Sequence, residues 1–227
     1  MEPKQNYDKI MQAQIAALPE GARPSLLLHS CCAPCSSAVI ERLAPHFALS
    51  VFFYNPNIFP PEEYQHRLSE QRRLLSEWPG PRIPLIEAPY EPELFLSRSK
   101  GLEDQPEGGK RCTECLSLRL EKTAAFAKAH GFDYFTTTLS VSPHKNAALL
   151  NQIGARLTDD TCQYLYADFK KRDGYRRSIA LSREYGLYQM CIRDRPRPSR
   201  LSAPFLPRSP ARQSWIWCRP CPNCWIS

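Results

Sequence analysis

The sequence predicts an α/β fold, a parallel sheet with helices on both faces, and three observations carry that prediction. Short continuous apolar runs recur along the chain, each is followed by a segment with helical spacing, and no internal repeat interrupts the alternation. A run that is apolar at every position marks a strand buried on both faces, which is the situation of strands in parallel sheets. Alternating strands and helices then imply crossover connections that cover the sheet.

The elements follow in order. Residues 6–18 are amphipathic and predict a helix, which Arg23-Pro24 breaks. Residues 25–29 (SLLLH) form the first buried strand, and residues 36–43 the helix after it, closed by Pro45. Residues 48–54 (ALSVFFY) form the second strand, stopped by the turn Asn55-Pro56-Asn57. Residues 62–78, rich in Glu, Gln, Arg and Leu, predict a long surface helix. A third strand is expected over 84–88, and a helix over 112–130 that ends at Gly131, the usual glycine position after a helix. Strands over 134–139 and 163–167 and helices over 146–155 and 174–185 complete the body.

The chain of 227 residues is long enough for one well-packed domain, with 42% hydrophobic residues to fill it. It contains no apolar run long enough for a transmembrane helix, and residues 1–18 lack the apolar stretch of a secretory signal, so a cytoplasmic protein without a membrane partner is expected. In that compartment ten cysteines do not read as a disulfide framework; metal binding or catalysis is the first reading. Residues 189–227 hold seven Arg and one Asp, so nearly all of the net charge of +7 resides there and bulk charge gives no argument for a nucleic-acid partner.

Two cysteine segments carry chemistry. The first, HSCCAPC (29–35), places Cys31, Cys32 and Cys35 at the carboxyl end of the first strand, where parallel sheets keep their active sites. Pro34 suits the entry to a helix, and a helix N-terminus favours the thiolate that binds metal. The second, RCTEC (111–115), follows Gly108 and Gly109 and opens a helix with Cys112 and Cys115. Taken alone, CxxC fits a redox dithiol, a zinc half-site or a cluster half-site. Together the two segments suit four thiolates around structural zinc or an iron–sulfur cubane, and the adjacent pair Cys31-Cys32 favours iron. His29 reads either as a residue tuning the site or as a satisfied core histidine, Cys162 as a core filler, and His144 as a weak ligand candidate. Lys170, Lys171, Arg172, Arg176 and Arg177, with Tyr175 interleaved, form the one local basic cluster of the body, fitting either a phosphate backbone or a solvated helix face.

Taken together, HSCCAPC, FYNPNIFPPEEY (53–64), KRCTEC (110–115), TTTLSVSPHKN (136–146) and DFKKRDGYRRSIALSREYGLY (168–188) resemble the epoxyqueuosine reductases of the QueH type. The resemblance covers 24–188 in the right order. It implies a Rossmann-like fold of the adenine-nucleotide alpha-hydrolase group, although that group's SGGxDS phosphate loop is replaced here by the cysteine turn. It further implies two-electron removal of the epoxide oxygen of epoxyqueuosine in the tRNA wobble position, giving queuosine, the last step of queuosine biosynthesis. By the family pattern, Cys31, Cys32, Cys112 and Cys115 hold a [4Fe–4S] cluster, and Cys35 is left as a catalytic residue and ligand of an additional mononuclear iron. The partners implied are tRNA carrying epoxyqueuosine and an electron donor that the sequence does not identify. A zinc-stabilised RNA-binding protein without catalysis is the competing reading.

The chain changes character after Tyr188. Seven of the 22 prolines fall within 189–227, and the junction QMCIRDR (189–195) resembles the translation of a transposon end used in sequencing libraries. Residues 1–188 are therefore expected to form the reductase domain, truncated, and 189–227 a disordered non-native tail, with the CxxCxxC of Cys218, Cys221 and Cys224 discounted. The family resemblance implies a CxC pair after GLY that is missing here, so turnover is expected to be impaired. Codons for 189–227 running on continuously from the gene at its source locus would refute this division.

Overall fold

The computed structural model describes residues 5–188; the tail, with Cys191 and the CxxCxxC motif, lies outside the described residues. Five parallel strands form one sheet in the order β3-β2-β1-β4-β5. They are β1 (Ser25–Ser30), β2 (Ala48–Phe53), β3 (Leu85–Glu87), β4 (Tyr134–Thr137) and β5 (Gln163–Tyr164). The helices are α1 (Tyr7–Ala16), α2 (Ala33–Leu43), α3 (Pro61–Glu77), α4 (Pro92–Ser99), α5 (Lys110–Ala129), α6 (Ala147–Leu157) and α7 (Gly174–Glu184).

β1 explains the two layers. Leu26 and Leu28 point into one core cluster with Val39, Ile40 and Leu43 of α2, Leu75 of α3 and Met11 of α1. Leu27 points the other way, into a cluster with Leu116, Leu118 and Leu120 of α5 and Leu150 and Ile153 of α6. All three leucines are fully buried, each worth about 2 kcal/mol against exposure. The continuous apolar run is thus the direct record of a strand covered on both faces, and the Rossmann-like α/β class stands as predicted.

The chain order explains where a site belongs. From β1 the path runs outward through β2 to β3, then returns to β4 on the opposite edge of β1. The loops leaving β1 and β4 therefore turn to opposite sides, opening a crevice at the carboxyl ends of these two strands.

Four elements differ from the sequence reading. The helix after β1 begins at Ala33, ahead of the predicted 36, so the cysteine turn is its N-terminus. α4 is absent from the sequence reading; it is only eight residues long and starts on Pro92, burying chiefly Phe95 and Ser99, too little periodicity to register. β4 stops at Thr137 because a 3₁₀ turn (Thr138–Val141) begins there, capped by the Thr137 hydroxyl, which accepts from Leu139 N at 3.2 Å. β5 is two residues long where five were predicted: beyond it the backbone of Ala167 pairs with the Asn151 carboxamide (2.8 and 2.9 Å) instead of a strand. Gln14 of α1 treats the outer side of β5 in the same way, donating to Tyr164 O and accepting from Tyr166 N.

Gly154 shows how closely α6 meets the sheet. A Cβ built there would lie 2.4 Å from the Tyr164 ring, which is itself 2% exposed and has no room to move. G154A is expected to lower stability by about 1–3 kcal/mol despite alanine's better helix propensity, read as a lower urea midpoint at unchanged slope.

Candidate metal centre

Cys31 follows the last residue of β1 and is completely buried. Cys32 is the extended N-cap of α2 (φ −171°, ψ 162°), and Cys35 lies in the helix's first turn, after Pro34. Their three sulfurs all lie within 4.8 Å of one another, with Cys31 and Cys32 3.8 Å apart. The extended cap reverses the chain between strand and helix, so that residues before and after it face the same space. Thr138, first residue after β4, reaches across the crevice: its hydroxyl accepts from Cys31 N at 3.4 Å and lies 3.5 Å from Cys31 Sγ. The cysteine turn therefore occupies the point where the strand order reverses.

These thiols do not share charge evenly. Hydrogen bonds from Cys32, then Cys35, hold the Cys31 thiol well below its ordinary pKa against the opposing effect of burial. The same bonds hold Cys35 well above it, and the bond to Cys31 does the same for Cys32. Metal–sulfur bonds at this turn would release the protons of the thiols that they engage.

His29, on β1 two residues before Cys31, is a satisfied core histidine. Its Nε2 is 3.0 Å from the carbonyl of Tyr54, which can only accept, so the ring proton sits on Nε2. Nδ1 then accepts from the Thr137 hydroxyl at 2.9 Å. Burial, with the nearby charge of Arg119, lowers its pKa to about 4, so the ring is neutral at physiological pH. It ties the ends of β2 and β4 to β1 directly under the cysteines.

Several residues around the turn were invisible to sequence reasoning. Gln71 of α3 accepts from Ser30 Oγ (2.8 Å) and Ser36 Oγ (3.0 Å), one on each side of the cysteines. Asn55 donates to Ser30 O at 2.9 Å, filling the place a further β2 residue would take. Both amides are fully buried with one end, Gln71 Nε2 and Asn55 Oδ1, lacking a partner among the described residues, an arrangement that suits a further polar group at this spot. Arg119 of α5 is 2% exposed and donates to Cys115 O at 3.1 Å. Thr137 and Thr138 were available to sequence reasoning as polar residues at a strand's carboxyl end; Arg67, Gln71 and Arg119 lie within ordinary amphipathic helices and gave no signal.

Cys112 and Cys115 stand in the first two turns of α5, behind the Gly109 N-cap. Among the described residues they lie outside the group of mutually close sulfurs, which is Cys31, Cys32 and Cys35. Cys115 nonetheless packs on the same core cluster as Cys31, Cys32 and Cys35, so both cysteine segments open helices toward one region. Cys162 is buried on the sheet, its thiol pushed up to about 11 by burial, and His144 is exposed on the turn before α6.

The basic segment divides in two. Lys170 is tied to Asp168 (3.2 Å) and to the carbonyls of Ser140 and Lys145. Arg177 makes a two-pronged pair with Glu41 of α2 (2.8 and 2.5 Å). Lys171 and Arg176 are exposed, the latter only 3.7 Å from Asp173 at its nearest, and Tyr175 is half-buried between them. Arg172 and Asp173 both take left-handed backbone (φ 55° and 59°), which turns this segment sharply into α7.

Comparison with known proteins adds to this geometry. A family model described as epoxyqueuosine reductase QueH matches residues 26–191. The chain is 43% identical over 199 residues to the epoxyqueuosine reductase QueH of Streptococcus pyogenes serotype M1, covering 84% of this chain and 78% of that protein. It is 42% identical to the protein of the same name from Staphylococcus epidermidis (83% and 82% covered), and 31% identical to that of Thermotoga maritima (73% and 85%).

Proposed function

The chain belongs to the epoxyqueuosine reductase QueH family, and from that membership we propose that it removes the epoxide oxygen of epoxyqueuosine at the tRNA wobble position to give queuosine. Both carbon–oxygen bonds of the epoxide break and a carbon–carbon double bond forms. Two electrons and two protons are consumed, and the oxygen leaves as water. The observation that carries a metal-dependent reading is the convergence of the Cys31, Cys32 and Cys35 sulfurs within 4.8 Å at the strand-order reversal.

The donor set suits iron and sulfide. Cys31, Cys32, Cys112 and Cys115 would hold a [4Fe–4S] cluster between the starts of α2 and α5, with Cys35 adjacent as the catalytic cysteine and ligand of an additional iron. When bound, such a group supplies electrons singly and a Lewis-acidic position for oxygen. The protein's own part is rigidity and exclusion of water. Neutral His29 and Thr138 fix the cysteine turn from below, and full burial of Cys31 keeps solvent from that side of the site. For tRNA, Lys171 and Arg176 offer exposed cations and Tyr175 a stacking face, while Lys170 and Arg177 shape the segment through their internal partners. A cytoplasmic location follows from a tRNA substrate, and no described helix is long and apolar enough to cross a membrane.

Protein prepared without oxygen is expected to be brown, with about four irons and four sulfides per chain and any additional iron on top. C31A, C32A, C112A and C115A are each expected to lose most of that iron, whereas C35A keeps the cluster's share and loses single-turnover reduction. Colourless protein with one zinc would overturn the reading. The charge-reversed pair K171E/R176E is expected to weaken tRNA binding at least tenfold and to flatten its salt dependence by about two in slope; unchanged binding would reject the tRNA face.

A further inference from the structure

α3 presses one stripe against the cysteine turn. Gln71 pins that stripe by its contacts to Ser30 and Ser36, on either side of the turn. Arg67 lies one helical turn from Gln71 on the same stripe, and is buried at 5% exposure. A buried guanidinium requires compensating charge. It lies close enough to Cys32 and Cys31 for each to act on it electrostatically, and Glu63 pairs with it directly.

Arg67 is also the end of a chain of contacts. Its Nε donates to Glu63 Oε1 at 2.7 Å, and the other Glu63 oxygen accepts from the Tyr188 hydroxyl at 3.1 Å. Tyr188 is itself fixed: its N–H donates to Glu70 at 2.9 Å, and its ring stands edge-on to His66 at 4.1 Å. Just before it, Arg73 donates to the carbonyls of Tyr185 and Gly186 at 2.9 and 3.1 Å, and Leu187 buries itself with Leu74 and with Ala33 of the cysteine turn. Residues 185–188 are thus strapped along α3, and their last side chain steadies the ion pair beside the thiols.

We propose that Arg67 is a positioning cation of the cysteine site, offsetting the negative charge of its thiolate ligands, and that Glu63 and Tyr188 hold it in place. The inference rests on the reading of the site as an iron–sulfur centre. Adding one electron makes such a centre more negative, so a fixed neighbouring cation favours the reduced form and raises the midpoint potential. A buried, poorly screened unit charge beside such a centre changes its equilibrium about tenfold or more. A merely structural ion pair would leave the potential where it is.

The test is a redox titration with dithionite of the whole iron-loaded protein under anaerobic conditions. It follows the electron paramagnetic resonance signal for wild type, R67M, R67K and Y188F, after iron and sulfide have been counted in each. With metal content unchanged, R67M is expected to lower the reduced-to-oxidised ratio at the wild-type midpoint about tenfold, about 59 mV for one electron. R67K should return it to within about twofold, and Y188F should lower it about two- to threefold. Full metal content with an unmoved midpoint in R67M, or a midpoint in R67K as displaced as in R67M, overturns the inference. Should R67M fail to fold, Y188F decides alone, and an unmoved midpoint there overturns it. Wild type without iron and sulfide overturns both this inference and the iron–sulfur reading, whereas loaded protein with unmoved midpoints overturns only the inference.

Discussion

β1 is paired along both edges, by β2 and β4, and packed on both faces, by α2 and α5. A strand enclosed in this way has one free direction, off its carboxyl end, and the cysteine turn is what the chain places there. The other features of the site follow from that enclosure. Cys31 can be fully buried because the sheet continues beneath it, and Thr138 can reach it because β4 ends level with β1 on the adjacent edge. His29, trapped one layer down, must stay neutral, and its two ring nitrogens find partners in the neighbouring strand ends.

The electrostatics answer the same constraint. Several cysteines in a water-poor crevice cannot all ionise unless positive charge is brought to them. Three sources are at hand: the N-terminus of α2 and Arg67 from α3 at the turn itself, and Arg119 from the face of α5 near His29 beneath it. Each belongs to a different secondary-structure element, so the compensating charge depends on the packing of the whole domain. That dependence sets this cysteine turn apart from a short loop that brings its own ligands and little else.

Much of this was legible in the sequence because its signals are local. SLLLH and ALSVFFY announce strands with two buried faces, and HSCCAPC announces by its own spacing a strand end turning into a helix. The family, too, was legible, because the five segments that carry the resemblance are contiguous strings. What stayed hidden depends on contacts between distant elements. Arg67 and Gln71 belong to a stretch that reads as a solvated surface helix, and only the seating of α3 on the turn makes them inward residues. The grouping of Cys35 with Cys31 and Cys32 was legible in their spacing; the start of α2 at Ala33, ahead of Ser36, was not. In the basic run, composition suggested equivalent cationic positions; packing ties Lys170, Arg172 and Arg177 to neighbouring elements.

The Gln14 carboxamide beside β5 has a consequence of another kind. An outermost strand with vacant amides and carbonyls is an invitation to a second molecule, whose own strand can add to it and begin an aggregate. Here the one side chain fills an acceptor and a donor of that edge, at Tyr164 and Tyr166, and the Asn151 amide does the same at Ala167. β3, at the opposite margin, is only three residues long. Among the described residues, one margin of the sheet is thus capped by side chains and the other kept short, two devices that disfavour the addition of a foreign strand.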